Sequence, residues 1–363
     1  MFHRTTLLKC FLYCFAFLPN QASAHVKWFA PYIVESPPRP ISNTLFNPWF
    51  WLGIILVLMF FIATRFLENS KFGERIMIVL DRATNFLWTR LDDFVRAVIG
   101  SFFIAIFATG GIYLTPDLKT PSEWVSWIQL LIAIFVFFRA TQPIAAALII
   151  GLWALALRDY QLFHLLDYLA LGVGVAAYLA LEVSKNPDWR KHRFEVLRWG
   201  VAIALMWSSL EKFAYPEWFY PLVVEKPFLT FGLSRDAFIP MAGVAEFTMG
   251  FGMIWTPLVR RLSALAMFII FNAAVYPFGR IDLIGHALIM AIIIVIAVDR
   301  TRENHFLPKL KARLFGVPSG LVFALALFSA SYWGLHAAIY SNQGTATTPT
   351  ELTTHTHDPE NPH

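Results

Sequence analysis

Cysteine is almost missing from this chain of 363 residues: it has two, Cys10 and Cys14, and none after them. The body of the protein therefore has no disulfide framework, no thiolate metal site and no cysteine-ligated iron–sulfur cluster. Charge is scarce too, at 15% Asp, Glu, Lys and Arg, against about 25% in an ordinary soluble domain. No glycine-rich nucleotide loop, no haem-ligating histidine pair and no basic-aromatic nucleic-acid motif stands in the sequence. What fills the chain instead is apolar: 57% of it is hydrophobic, with a mean hydropathy of +0.57. That composition excludes an ordinary soluble domain and points to an all-α, polytopic membrane helical bundle whose main partner is the lipid bilayer.

The first 24 residues have the three parts of a signal peptide: a basic start "MFHRTTLLK", an apolar "CFLYCFAFL" too short to span a bilayer, and "NQASA" with Ala22 and Ala24 at the cleavage positions. Cleavage after Ala24 would remove both cysteines and leave His25 as an exported N-terminus. An uncleaved anchor is the alternative.

Apolar runs of near membrane length lie at 48–66, 95–114, 124–139, 142–158, 163–182, 196–213, 237–256, 259–278, 280–299 and 319–340, giving about ten spans. With the mature N-terminus outside, alternate loops carry Lys71, Arg75, Arg82 and Arg90, then Arg139, then Lys185, Arg190, Lys191 and Arg193, then Arg260 and Arg261, and last Arg300 to Arg313. The opposite loops are poor in Lys and Arg. This bias predicts ten spans with both mature ends outside, and it assigns the net charge of +5 to topology rather than to nucleic-acid binding.

The organisation expected from this reading is a signal peptide (1–24), a periplasmic segment (25–47), a first span with a cytoplasmic amphipathic stretch (48–94), two four-helix units (95–185 and 186–300), a loop with the last span (301–340), and a hydrophobe-poor, His-bearing tail (341–363). The two units read as a parallel repeat. "DDFVRAVIGSFFIAIF" parallels "FEVLRWGVAIALMWSS", and the last helix of each unit opens with polar residues, "FHLLDYL" and "RIDLIGH". The loop after Lys212, rich in Pro and aromatics, reads as interfacial or partly re-entrant.

Ionisable residues inside spans cost about 2.5–3.5 kcal/mol each on insertion scales, so each is a candidate for function. Glu211 and Lys212 close the sixth span, Glu246 lies in the seventh, Asn272 and Tyr276 in the eighth, Arg280, Asp282 and His286 open the ninth, and His336 lies in the tenth. All fall in the outer half of the membrane. Asp282 and His286, four apart, share a helix face, where a carboxylate can orient an imidazole for a metal or a proton. One reading makes this a structural network in which Lys212 and Arg280 neutralise Glu246 and Asp282; the other makes it a substrate, quinone or metal pocket. The first unit keeps only His164, Asp167, Arg139 and Gln129 and reads as its mostly structural partner, while His192 and His305 read as solvated loop residues.

Over residues 196–300 the chain resembles the DoxX family of four-helix membrane proteins. The resemblance rests on "VLRWGVAIALMWSSLEKFAYPEWF" and "AEFTMGFGMIWTPLVRRLSALAM". It implies a four-helix bundle in a bacterial inner membrane, which would make the outer mature ends periplasmic, and, through relatives that serve membrane redox complexes such as a thiosulfate:quinone oxidoreductase, draws attention to Glu211, Lys212 and Glu246; with Asn272, at similar depth in the eighth span, they form the candidate cofactor site. The duplication, the leader and the extra spans depart from simple members of that family.

A mature chain beginning "HVKWF" would offer a terminal amine and an imidazole on one residue, a chelate that favours Cu(II). In this one feature it resembles copper carriers and copper oxygenases that begin with His. His286, His336, His355, His357 and His363 are the further imidazoles on the expected outer side, and Asp282 is a carboxylate donor; the tail "HTHDPENPH" alone reads as a flexible metal-scavenging segment. The expectation is an accessory or binding protein, more than an enzyme, that handles a metal, copper foremost, at the periplasmic face. A quinone-interacting subunit of a membrane redox complex and a proton-coupled transporter are the alternatives.

Overall fold

The computed structural model describes residues 32–302, 309, 311 and 313–340, without the side chains of 276–278. His25, His305, the leader and the tail histidines lie outside the described residues, and so does the chelate expected of His25. Among the described residues every named element is helical, and extended pairing is confined to one isolated bridge between Ile112 and Lys119.

The main helices are α1 (Pro48–Glu68), α2 (Lys71–Ala83), α3 (Leu91–Thr109), α4 (Trp124–Val136), α5 (Gln142–Ala156), α6 (Leu162–Glu182), α7 (Arg193–Ser209), α8 (Arg235–Gly252), α9 (Pro257–Val275), α10 (Gly279–Val298) and α11 (Gly316–Tyr340). Their starts follow from local chemistry. Asn47 accepts from the Trp49 amide at 2.9 Å with Pro48 at the first helical position, and Ser70 accepts from the Gly73 amide at 3.1 Å. α9 and α10 run on from one another, broken at Gly279, whose φ of 73° only glycine adopts easily.

Five helices, α1, α6, α9, α10 and α11, are long and apolar enough to cross a membrane. The other five predicted spans also fall on helices, with reasons for missing that mark. α4 and α5 are apolar but have 13 and 15 residues, against the roughly 20 that cover a bilayer core. α3, α7 and α8 carry charge within their own length: Asp92, Asp93 and Arg96; Arg193, Glu195 and Arg198; Arg235, Asp236 and Glu246.

Contacts sort the connecting segments to two ends of the bundle. At the upper end, where α1 starts, the Arg39 amide donates to Ala214 O at 2.8 Å and Trp333 Nε1 to Arg39 O at 2.9 Å. At the lower end the Leu258 amide donates to Glu68 at 2.8 Å, and Arg193 reaches Asp92 at 2.8 Å. Successive long helices thus alternate in direction.

α6 and α7 hold the two predicted units together. A Cβ on Gly174 would lie 2.9 Å from Gly200 Cα and 3.0 Å from Val196 O, so only glycine permits this backbone approach. α2 is the expected amphipathic helix. It leaves Phe72, Ile78 and Val79 exposed beside its charged residues, a surface suited to a membrane interface.

Candidate functional site

α7 ends at Ser209 and passes into a helical turn, Glu211–Ala214, that presents two adjacent charges in different directions. Consecutive residues in a helix point about 100° apart. Glu211 consequently turns into the core, with 2% of its surface exposed, while Lys212 reaches across to α8. Lys212 Nζ forms an ion pair with Glu246, and Ser208 Oγ, on α7, lies 3.3 Å from the other Glu246 oxygen. The ammonium also sits 4.9 Å from the centre of the Phe219 ring, a cation–π distance.

Beside this pair is a cavity of about 240 Å³, walled by Lys212, Phe213, Pro216 and Tyr220, by Arg39 to Asn47 before α1, and by the first turns of α8. Its ionised lining is Arg39, Lys212 and Arg235 against Asp236. Arg39 pairs with Glu217 at 3.1 Å, and Arg235 lies over the Tyr220 ring at 4.6 Å. Asn43, Thr44 and Asn47 add neutral hydrogen-bonding groups. The predicted re-entrant loop is what builds this wall, as four short helical turns between Glu211 and Thr230 followed by Phe231 (φ 52°) and Gly232 (φ 82°).

On the other side of the Glu211 turn is a packed aromatic cluster. Phe163 contacts Trp207, Tyr332, His336 and Tyr340, with ring centres 5.0–6.1 Å apart. The chain before α1 straps over it: His336 Nε2 donates to Val34 O at 3.2 Å, and Tyr215 Oη to Ser36 O at 3.0 Å. His336 is thereby committed to the strap.

The cluster continues into the first unit, which is richer than its sequence suggests. Asp117, from the loop after α3, meets His164 Nε2 at 3.2 Å and accepts from Tyr168, while Tyr32 Oη lies 3.5 Å from His164. Asp117, Tyr168 and Tyr32 escaped the sequence reading. The turn-forming "TPD" was the one signal for Asp117, and neither tyrosine has any at all. In the adjoining loop, Arg158 and Tyr113 donate to Asp159 and hold its carboxyl below the ordinary range. Of the other residues singled out in this unit, Gln129 holds backbone in place and Arg139 pairs with a buried carboxylate. Gln129 donates to Ile112 O and Tyr113 O at 2.6 and 2.9 Å, and Arg139 at the lower end reaches Glu182 at 3.5 Å. His192, read as a plain loop residue, lies 2.7 Å from Glu195.

Asp282 and His286 face each other across one turn of α10, with Oδ1 and Nδ1 2.9 Å apart and the imidazole against Phe271 at 4.9 Å. His286, rather than Arg280, is the partner of Asp282, and Arg280 is exposed. Asn272 is exposed as well, and its amide donates to Phe268 O at 2.7 Å on its own helix. Among the described residues no three His, Cys, Asp or Glu side chains gather into a metal-binding group, so Asp282, His286 and His336 do not form one centre.

No family model, curated protein or solved structure matches the chain.

Proposed function

We propose that this multi-pass membrane protein is a carrier that takes up a small organic anion at its upper, periplasm-facing end, with Lys212 and Glu246 as the pair that senses the ligand. One observation carries this reading: a half-buried Lys–Glu ion pair lies beside a cavity whose charged lining is mainly cationic. At about 240 Å³ the cavity is smaller than the roughly 300–1,000 Å³ of drug-sized pockets, which suits a small carboxylate or phosphate ester. An anion entering it competes with Glu246 for Lys212. Release of Glu246 from its cation leaves a carboxylate of α8 in need of a new partner, which is how ligand entry is felt by that helix.

The location follows from the charge bias, since the lower-end loops carry the excess of Lys and Arg that marks a cytoplasmic face. The proposed DoxX-like duplication is supported by element order: α3 to α6 and α7 to α10 are each a run of four helices. Ten crossings fit the alternation of helix direction.

The experiment is uptake by proteoliposomes of a panel of labelled small carboxylates and phosphate esters. Saturable uptake by the wild type, lost in Lys212→Met and altered in affinity for the anion in Glu246→Gln, which frees Lys212 of its competitor, is the expected result. Uptake no faster than in empty liposomes for every anion, with no ligand-induced rise in melting temperature, would sink the proposal.

A second reading, handling of copper or a similar metal at the same face, is favoured by the side-by-side placement of Asp282 and His286.

A further inference from the structure

The two most exposed large apolar side chains among the described residues are Phe46, at 86%, and Phe231, at 85%. Neither lies in a helix long enough to cross a membrane, so lipid contact along a span, which accounts for the bare faces of α1 and α11, does not account for them. Phe231 also has a φ of 52°, a conformation that bulky residues rarely take.

Both phenylalanines border the anion cavity. Thr44 and Asn47 flank Phe46 in the chain, Tyr220 and Arg235 bracket the segment that carries Phe231, and all four line the cavity. Leu45, Val224 and Phe228 are exposed in the same two segments. The cavity thus joins a polar, mainly cationic interior to an apolar rim. Its depth follows from α1. Trp49 and Trp51, exposed at the start of that helix, are of the type favoured at a membrane–water boundary, and Trp51 Nε1 donates to Leu45 O at 2.7 Å. That bond ties the cavity wall to the boundary, the level at which the charged heads of amphiphiles lie, whereas a water-soluble anion needs no apolar rim.

We propose that the ligand is an amphiphile with a phosphate or carboxylate head, entering from the leaflet at the upper end. The head occupies the cavity against Lys212, and the chain stays in lipid, lying across Phe46 and Phe231. A volume of about 240 Å³ takes the head and leaves the chain outside. The assignment rests on the carrier reading and adds the membrane as the source of the anion.

The test is equilibrium dialysis of butyl phosphate, butyrate, dodecyl phosphate, dodecanoate and dodecanol against full-length protein in phosphatidylcholine nanodiscs. Uptake by protein-free nanodiscs is subtracted, and affinity is referred to the free aqueous concentration. Each methylene withdrawn from water strengthens binding, so the wild type should bind a dodecyl anion about tenfold or more tighter than its butyl counterpart, and Phe46→Ser/Phe231→Ser should shrink that ratio by about threefold or more. Both side chains are exposed, so the double variant keeps its core. Equal affinity for short and long anions overturns the proposal and leaves the carrier reading standing. An undiminished ratio in the double variant, or dodecanol bound as tightly as dodecyl phosphate, overturns it too. Binding of none of the anions sinks both.

Discussion

At the lower end of the bundle Asp81 meets Arg261, Arg300 and Arg302, and Asp299 meets Arg198 and Arg260, whereas at the upper end Lys212 and Glu246 face each other beside an open cavity. Both ends hold charge inside an apolar protein, fully buried around Asp299 and half-buried at Lys212 and Glu246. The lower end surrounds each carboxylate with several guanidinium groups from different helices, so its charges bolt α2, α7 and α9 together. The upper end holds its ion pair beside space that a ligand can fill. Buried charge is by itself no sign of function; a half-buried pair next to a cavity is a better one.

The largest expected effect is at the lower end. Burial pushes the Asp299 carboxyl up, but Arg260 and Arg198 outweigh it and hold it below the ordinary range. Asp299→Asn leaves both guanidinium groups short of a counter-charge and should cost about 3–5 kcal/mol, read as loss of folded protein in a denaturation series. A depressed carboxyl stabilises above its ordinary pKa and loses that contribution as pH falls through the folded value. Acid should therefore mimic the substitution.

Gly174→Ala tests what joins the two halves. The new methyl meets Gly200 and Val196 backbone within 3.0 Å, and overpacking of this kind costs about 1–3 kcal/mol in thermal unfolding.

Lys212→Met sharpens the comparison between ends. The partners keep 18% and 19% side-chain exposure, which places the pair between exposed bridges worth about 0–1 kcal/mol and buried ones that cost about 3–5 when broken. About 2 kcal/mol is expected. The double variant Lys212→Met/Glu246→Gln should recover much of it, and a double variant no more stable than Lys212→Met would show that the lost charge pairing is not the cause.

Lys311, in the lower-end loop before α11, is buried and donates to Ile254 O at 2.7 Å, and burial pushes its pKa from 10.5 down to about 8. Between these values the unfolded chain binds more protons than the folded one. Stability should rise from about pH 8 to pH 10.5, and Lys311→Met should flatten that rise in melting temperature.

The smallest effect belongs to Asn272→Ala. Its side chain is exposed and bonds only within its own helix, so the change should stay within about 0.5 kcal/mol and leave anion uptake unaltered.

Much of the fold is legible in the sequence because the bilayer imposes length and apolarity on each helix. α1, α6, α9, α10 and α11 lie close to where apolar runs predict them. α7 and α8 carry Arg198 and Glu246 in their interiors, since other helices, not lipid, receive those side chains. The Asp282–His286 pair could be read from a spacing of four because a helix makes such residues neighbours. Asp117 and His164, 47 positions apart, are brought together by the loop after α3, which has no period to read.

The sequence by itself determined an all-helical membrane bundle, the residues that bear charge inside it, and the basic bias that separates its ends. Tertiary structure decided the rest of the partners: it seated Lys212 on Glu246 as one of two readings had it, left Arg280 exposed and away from Asp282, gave His336 to the strap rather than to His286, and brought Asp117 to His164. The reason is physical. Helix periodicity fixes which face a side chain takes, but which helix lies opposite depends on close approaches such as Gly174 against Gly200, and no local pattern encodes those.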